Sequence, residues 1–172
     1  MAAVTDIVEA VRTVIEDATF PDSVMLVDAL STHPGSTREV LLEVPDQPVW
    51  VQGTENELVL ACCNLVANAL KYTDQGGQVQ VQVTEQRGAA VLEVIDDGIG
   101  IAPEDTPLIF DDFYRSPSPA VRQRPGTGLG LSIVKRIVTR HRGNLTVDTS
   151  QPKKTVFRVT LPTHGLLLDP TT

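Results

Sequence analysis

Residues 78–83 read Gln-Val-Gln-Val-Gln-Val, an unbroken alternation of polar and apolar side chains. Successive side chains of a β-strand point to opposite faces. The segment therefore predicts a half-buried antiparallel strand, wet on one face and packed on the other. A cover for the packed face is predicted by two helical patterns. From about Asn56 to Tyr72, the residues Leu58, Cys62, Leu65, Ala69 and Tyr72 trace an apolar stripe that Gly76-Gly77 ends. A second helix is predicted over Leu129–His141, capped by Arg142-Gly143-Asn144. Val91–Ile95 follows an Arg87-Gly88 turn as a strand, and Leu145–Asp148 with Thr155–Leu161 predicts a closing hairpin. Val40–Val44 and Val49–Gln52, around Pro45-Asp46, predict another hairpin. Upstream, Asp6 caps a helix that ends near Phe20-Pro21, Val24–Leu30 reads as a strand and Ser31–Ser36 as a loop. Together these predict an α+β two-layer sandwich: a mixed, mostly antiparallel sheet of about five strands with three helices on one face.

The 172 residues suit one domain. Fourteen basic residues against 22 acidic ones, a formal charge of −8, exclude the basic face that nucleic-acid binding needs. No apolar run approaches a membrane span, and the N-terminus lacks a basic region, so a cytoplasmic domain without membrane contact is expected. The adjacent Cys62 and Cys63 read as reduced, small apolar residues.

Four clusters carry chemistry. Asn64, Asn68 and Lys71 are spaced i, i+4, i+7 and share one helix face. Two amides and an ammonium suit a hard cation with phosphate, although alone they also fit a solvated face. Asp96-Asp97-Gly98-Ile99-Gly100-Ile101 ends an apolar strand. A carboxylate there can accept a hydrogen bond from an exocyclic amine, and the glycines let backbone approach a flat ring; alone, the segment also fits an Asp-Gly turn. Ile109 to Arg115 places Phe110, Phe113 and a basic residue in a long Gly/Pro/Asp/Arg-rich loop with one helical turn around Pro103–Phe110. Gly126-Thr127-Gly128-Leu129-Gly130-Leu131 runs into a helix, where free N–H groups and the dipole make an anion site. Its spacing is neither Rossmann nor Walker A.

In this order the clusters resemble the N, G1, F and G2 boxes of the histidine kinase catalytic domain, within the ATPase superfamily of gyrase B, Hsp90 and MutL. The resemblance covers about residues 4–162. It implies a Bergerat-type fold, a single domain over 1–172 with a lid at about 98–127 and a tail at 163–172, and ATP with Mg2+ as ligands. It implies that Asn68 holds magnesium with Asn64 beside the phosphates, that Lys71 contacts phosphate, and that Tyr72 lies against the nucleotide. It further implies that Asp96 takes the adenine amine in a pocket shaped by Gly98, Gly100 and Ile101. Arg115 becomes a phosphate contact from the lid, and the backbone of Gly126, Thr127, Gly128, Leu129, Gly130 and Leu131 cradles the phosphates. Asn64, Asn68 and Lys71 form the implied catalytic set.

Hydrolytic relatives carry a glutamate, the general base for water, where this chain has Asn64. An amide takes no proton at neutral pH. Transfer to a neutral imidazole, which already has a lone pair, is thereby favoured over an ATP-driven conformational switch of the gyrase or Hsp90 type. His33 in a loop, His141 at a helix end and His164 in the tail all lack an acceptor's setting. The resemblance therefore implies a catalytic domain separated from its dimerisation and phosphoacceptor domain, or one acting on a partner in trans. A response regulator lies downstream, and the isolated chain is expected to be a monomer. Trp50 reads as core, Asp111-Asp112 as solvated lid, and Arg122 and Arg124 as equally able to approach phosphates or not.

Overall fold

The computed structural model describes residues 2–4 and 38–163. The helix expected from Asp6, the strand at Val24–Leu30, the loop with His33 and the tail with His164 lie outside them. The described elements are β1 (Ala2–Ala3), β2 (Glu39–Glu43), β3 (Trp50–Val51), α1 (Glu55–Tyr72), β4 (Gln78–Gln86), β5 (Ala89–Asp96), α2 (Pro119–Arg122), α3 (Gly130–Arg140), β6 (Asn144–Gln151) and β7 (Lys154–Pro162).

Five strands form one mixed sheet in the order β2-β4-β5-β7-β6, parallel between β2 and β4 and antiparallel elsewhere. The alternation of β4 is realised as expected: Val79, Val81 and Val83 are buried and the glutamines stay partly open. Register carries the apolar row across the sheet, with Val81 beside Val94 and Val94 beside Phe157. The opposite face carries Gln80, Gln82 and Thr84 of β4 beside Val91, Glu93 and Ile95 of β5. There Gln82 donates to Glu93, whose other oxygen takes the Arg158 guanidinium at 2.6 Å. The β4–β5 connection is the two-residue turn Arg87-Gly88 with φ 51° and 76°, the left-handed pair that matches strand twist.

α1 and α3 cover the apolar row. Leu65 and Val66 of α1 and Val134 of α3 have no exposed surface. At their far end His141 ties the two together. Its Nε2 accepts from the Thr54 N–H at 3.0 Å, and its Nδ1 meets the Ile137 carbonyl at 2.8 Å, so both ring nitrogens are engaged and the proton sits on Nδ1.

The expected hairpin between residues 40–44 and 49–52 does not form. β2 pairs in parallel with β4, setting Val40 beside Val79 and Leu42 beside Val81, and β3 pairs antiparallel with β1. Matching the apolar row of the main sheet wins over a local turn that carries Pro45 and Pro48. Trp50 is 44% exposed rather than core: strand alternation turns its neighbour Val51 inward and Trp50 out. α2 was not expected either; it is one turn, begun by Pro119 at its first position.

Truncating a fully buried side chain leaves a cavity. Leu65→Ala should lower the unfolding free energy by about 2–5 kcal/mol in urea denaturation. A loss no greater than that of a surface substitution would show that α1 is loosely packed.

Candidate functional site

Residues 90, 92, 94 and 96 of β5 share a face, so the last core-facing position of that strand belongs to a carboxylate. Asp96 is 4% exposed and stands between Val79 of β4 and Thr155 of β7. Burial raises its pKa from 3.8 to about 6, against hydrogen bonds from the Gly98 amide at 3.0 Å and the Thr155 hydroxyl. The Asp97 charge adds to the upward push. A Cβ on Gly98 would collide with the Tyr72 carbonyl, and Ile99 N–H donates to that same oxygen at 3.1 Å. Glycine at 98 is what lets this turn press against the end of α1.

On α1, Asn64, Asn68, Lys71 and Tyr72 all line one cleft of about 990 Å³. Asn64 is nearly buried, and its Nδ2 donates to the Leu60 carbonyl at 2.9 Å, which commits its Oδ1 to the cleft side. Gly130, the first residue of α3, lies directly against this face: a Cβ there would sit 3.2 Å from Asn64 Oδ1 and 3.5 Å from Asn68 Nδ2. The positive end of α3 thus abuts two amides. Burial first, then the charges of Arg115 and Arg124, lower the Lys71 pKa from 10.5 to about 8. Its Nζ lies against Gly126 and 5.0 Å over the Tyr72 ring. An ammonium held among cations in a partly dry cleft is a site short of an anion.

The glycine segment is pinned by the residues around Phe113. Gly128 adopts φ 79°, and a Cβ on it would fall 2.7 Å from the Tyr114 carbonyl oxygen. Its own carbonyl accepts from Phe113 N–H at 3.1 Å. Phe113 takes φ 64° and is 72% exposed, whereas Phe110 turns inward to meet Phe157 edge-on at 6.5 Å. Arg115 lines the cleft but spends its guanidinium on lid carbonyls, donating to Gly126 at 3.0 Å, Val121 at 2.9 Å and Arg124. The arrangement makes it a brace within the loop between β5 and α3.

Gly100, Ile101, Gly126, Thr127, Gly128 and Leu131 also border the cleft. Gly98 and Leu129 do not. Gly98 lies beneath it, and Leu129 precedes α3 with its carbonyl taken by Ser132 Oγ and Ile133 N–H. Thr155 and Tyr114 are among the cleft residues with no role read from the sequence, which leaves that of Arg124 open. Thr155 could have been found by matching the alternation of β7 to that of β5, which sets it opposite Asp96. Tyr114 donates to the buried Asp105 at 2.7 Å, a lid contact with no local signal. Arg124 reaches the Lys71 carbonyl and Asp74, both at 2.6 Å.

The amide oxygens of α1 suit a hard cation shared with phosphate. Among the described residues no cluster of three or more His, Cys, Asp or Glu could hold a metal by itself.

Residues 53–165 match the family described as histidine kinase-, DNA gyrase B-, and HSP90-like ATPase. The sensor histidine kinase RppB of Synechocystis is 42% identical over 114 residues, 66% of this chain and 25% of that protein. WalK of Bacillus subtilis is 33% identical over 140 residues, 80% of this chain and 23% of that protein. The chain thus spans about a quarter of the length of these curated relatives. Among solved structures, the mycobacterial sensor histidine kinase MprB superposes with TM-score 0.74 at 30% identity, covering 94% of this chain and 97% of that one. The histidine kinase domain of the Escherichia coli osmosensor EnvZ superposes with TM-score 0.58 at 33% identity, covering 86% and 89%.

The raised pKa of Asp96 means that the folded protein holds a proton there which the unfolded chain has released. Between pH 3.8 and about 6 folding is therefore penalised progressively as pH rises. The stability of the wild type relative to Asp96→Asn should fall across that window and level off above it. A flat difference would show that the carboxyl is solvated.

Proposed function

The chain belongs to the histidine kinase-, DNA gyrase B- and HSP90-like ATPase family and is its histidine-kinase type of ATP-binding catalytic domain; on that premise we propose that it passes the γ-phosphoryl group of ATP to a histidine on a separate dimerisation domain. The observation that carries the reading is the polar face of α1. The acidic residues of that helix are confined to its first turn, at Glu55 and Glu57; two amides face the α3 N-terminus and an ammonium faces the glycine segment at Gly126. No carboxylate of α1 stands there to take a proton from water.

Asp96 accepts the adenine amine, with Thr155 holding the carboxylate and Tyr72 against the nucleotide. The phosphates run toward the glycine segment and the first N–H groups of α3. Lys71 supplies the charge, and Asn68, with Asn64 Oδ1 beside it, holds the magnesium that accompanies ATP; that ion would neutralise phosphate charge. The lone pair of a neutral acceptor imidazole forms the N–P bond as the bond from γ-phosphorus to the ADP oxygen breaks, and the imidazole's other nitrogen gives its proton to solvent. The protein contributes position and charge, as phosphoryl transfer requires. The acceptor domain and a response regulator are the partners. Residues 98–127 act as the lid of one domain that works in the cytoplasm as a monomer when isolated. No helix among the described residues is long and apolar enough to cross a membrane.

With Mg-ATP and a matching dimerisation domain, the chain should place acid-labile, base-stable phosphate on that partner. Asn68→Ala should abolish the label, and Asp96→Asn should weaken adenine-nucleotide binding. Self-labelling at His33, His141 or His164, or turnover on the order of 1 s⁻¹ with water as the only acceptor, would overturn the reading. A second test follows from Lys71. A bound polyphosphate favours the ammonium and raises its pKa from about 8, so binding near pH 8 should take up protons. Calorimetry in buffers of different ionisation enthalpy reads this directly. An uptake that persists in Lys71→Met would assign it to another group.

A further inference from the structure

We propose that Arg124 is the positioning residue of the lid: together with Asp74 it fastens the segment before the glycine run to the C-terminal end of α1, and so sets how long a nucleotide stays in the cleft. The inference rests on the nucleotide reading above.

Three contacts carry it. Arg124 Nη1 donates to the Lys71 carbonyl at 2.6 Å, Nη2 donates to Asp74 Oδ1 at 2.6 Å, and the guanidinium lies 5.7 Å from the centroid of the Tyr72 ring. Both hydrogen bonds are charge-assisted, and a cation beside the last carbonyls of a helix is favoured by its dipole. Arg115 holds the carbonyls of Val121, Arg124 and Gly126, so the lid around them is one braced unit. Arg124 is the side chain that ties that unit to α1, across 50 residues of sequence to Asp74. Release of a nucleotide held between lid and helix then requires these bonds to break. The carboxylate partner is 76% exposed and the guanidinium 21%, so most of the hold comes from the shielded carbonyl bond and a smaller, salt-sensitive part from Asp74.

The test is stopped-flow release of a fluorescent ADP analogue, chased with Mg-ATP, from the full chain. Arg124→Gln should speed release about tenfold, Arg124→Lys less, and Asp74→Asn about twofold. Asp74→Asn is the discriminating variant. If charge alone governed the cleft, removing a negative group would slow the release of an anion, whereas a broken latch speeds it. Asp74→Asn combined with Arg124→Gln should release no faster than Arg124→Gln alone, because Asp74 acts through Arg124. Unfolding midpoints near that of the wild type establish that each variant is folded; where Arg124→Gln is not, Arg124→Lys and Asp74→Asn decide. Wild type that binds no analogue sinks the nucleotide reading and the latch with it. Wild type that binds, with unchanged release in Arg124→Gln or slower release in Asp74→Asn, sinks the latch alone.

Discussion

The rest of the molecule depends on one register: the apolar row shared by β4, β5 and β7. Val79, Val81 and Val83 stand beside Asp96, Val94 and Leu92, and these beside Thr155, Phe157 and Val159. A slip of one residue would turn each of those strands inside out. The same register ends the row in a carboxylate and a hydroxyl, so Asp96 and Thr155 are buried by the pattern that builds the core. The helices then have one face to cover, and covering it carries the amides of α1 to the start of α3.

The site is held in a state that its own charges disfavour. Burial pushes Asp96 and Lys71, which line one cleft, each toward its neutral form. Asp96 is served by two donors, the Gly98 amide and the Thr155 hydroxyl, whereas Lys71 stands beside the like charges of Arg115 and Arg124. Backbone strain sits close by. Phe113 is a bulky residue in the left-handed region, kept there by contact with Gly128.

Tertiary contacts convert the loop between β5 and α3, which has little periodicity, into a braced unit. It is anchored on two sides, by Phe110 against Phe157 and by Arg124 on α1, and tied internally by Tyr114 on Asp105. Arginine is suited to this work because its planar fork can serve a carbonyl and a carboxylate together.

Much of the fold could be read from the residues, because helix and strand periods and the glycine run into α3 are local properties. The alternation at 78–83, the stripe of α1 and the spacing of Asn64, Asn68 and Lys71 specified elements and faces without knowledge of any partner. What only the tertiary structure decided were pairings between distant segments. β2 joins β4 in parallel rather than a neighbouring hairpin, Trp50 faces out, Thr155 meets Asp96, and Arg124 crosses to Asp74 instead of standing free beside Arg122. The shifted acidities belong to the same class, since desolvation depends on everything packed around a group. Periodicity records which side of an element is apolar; burial in the folded chain alone determines what that side meets.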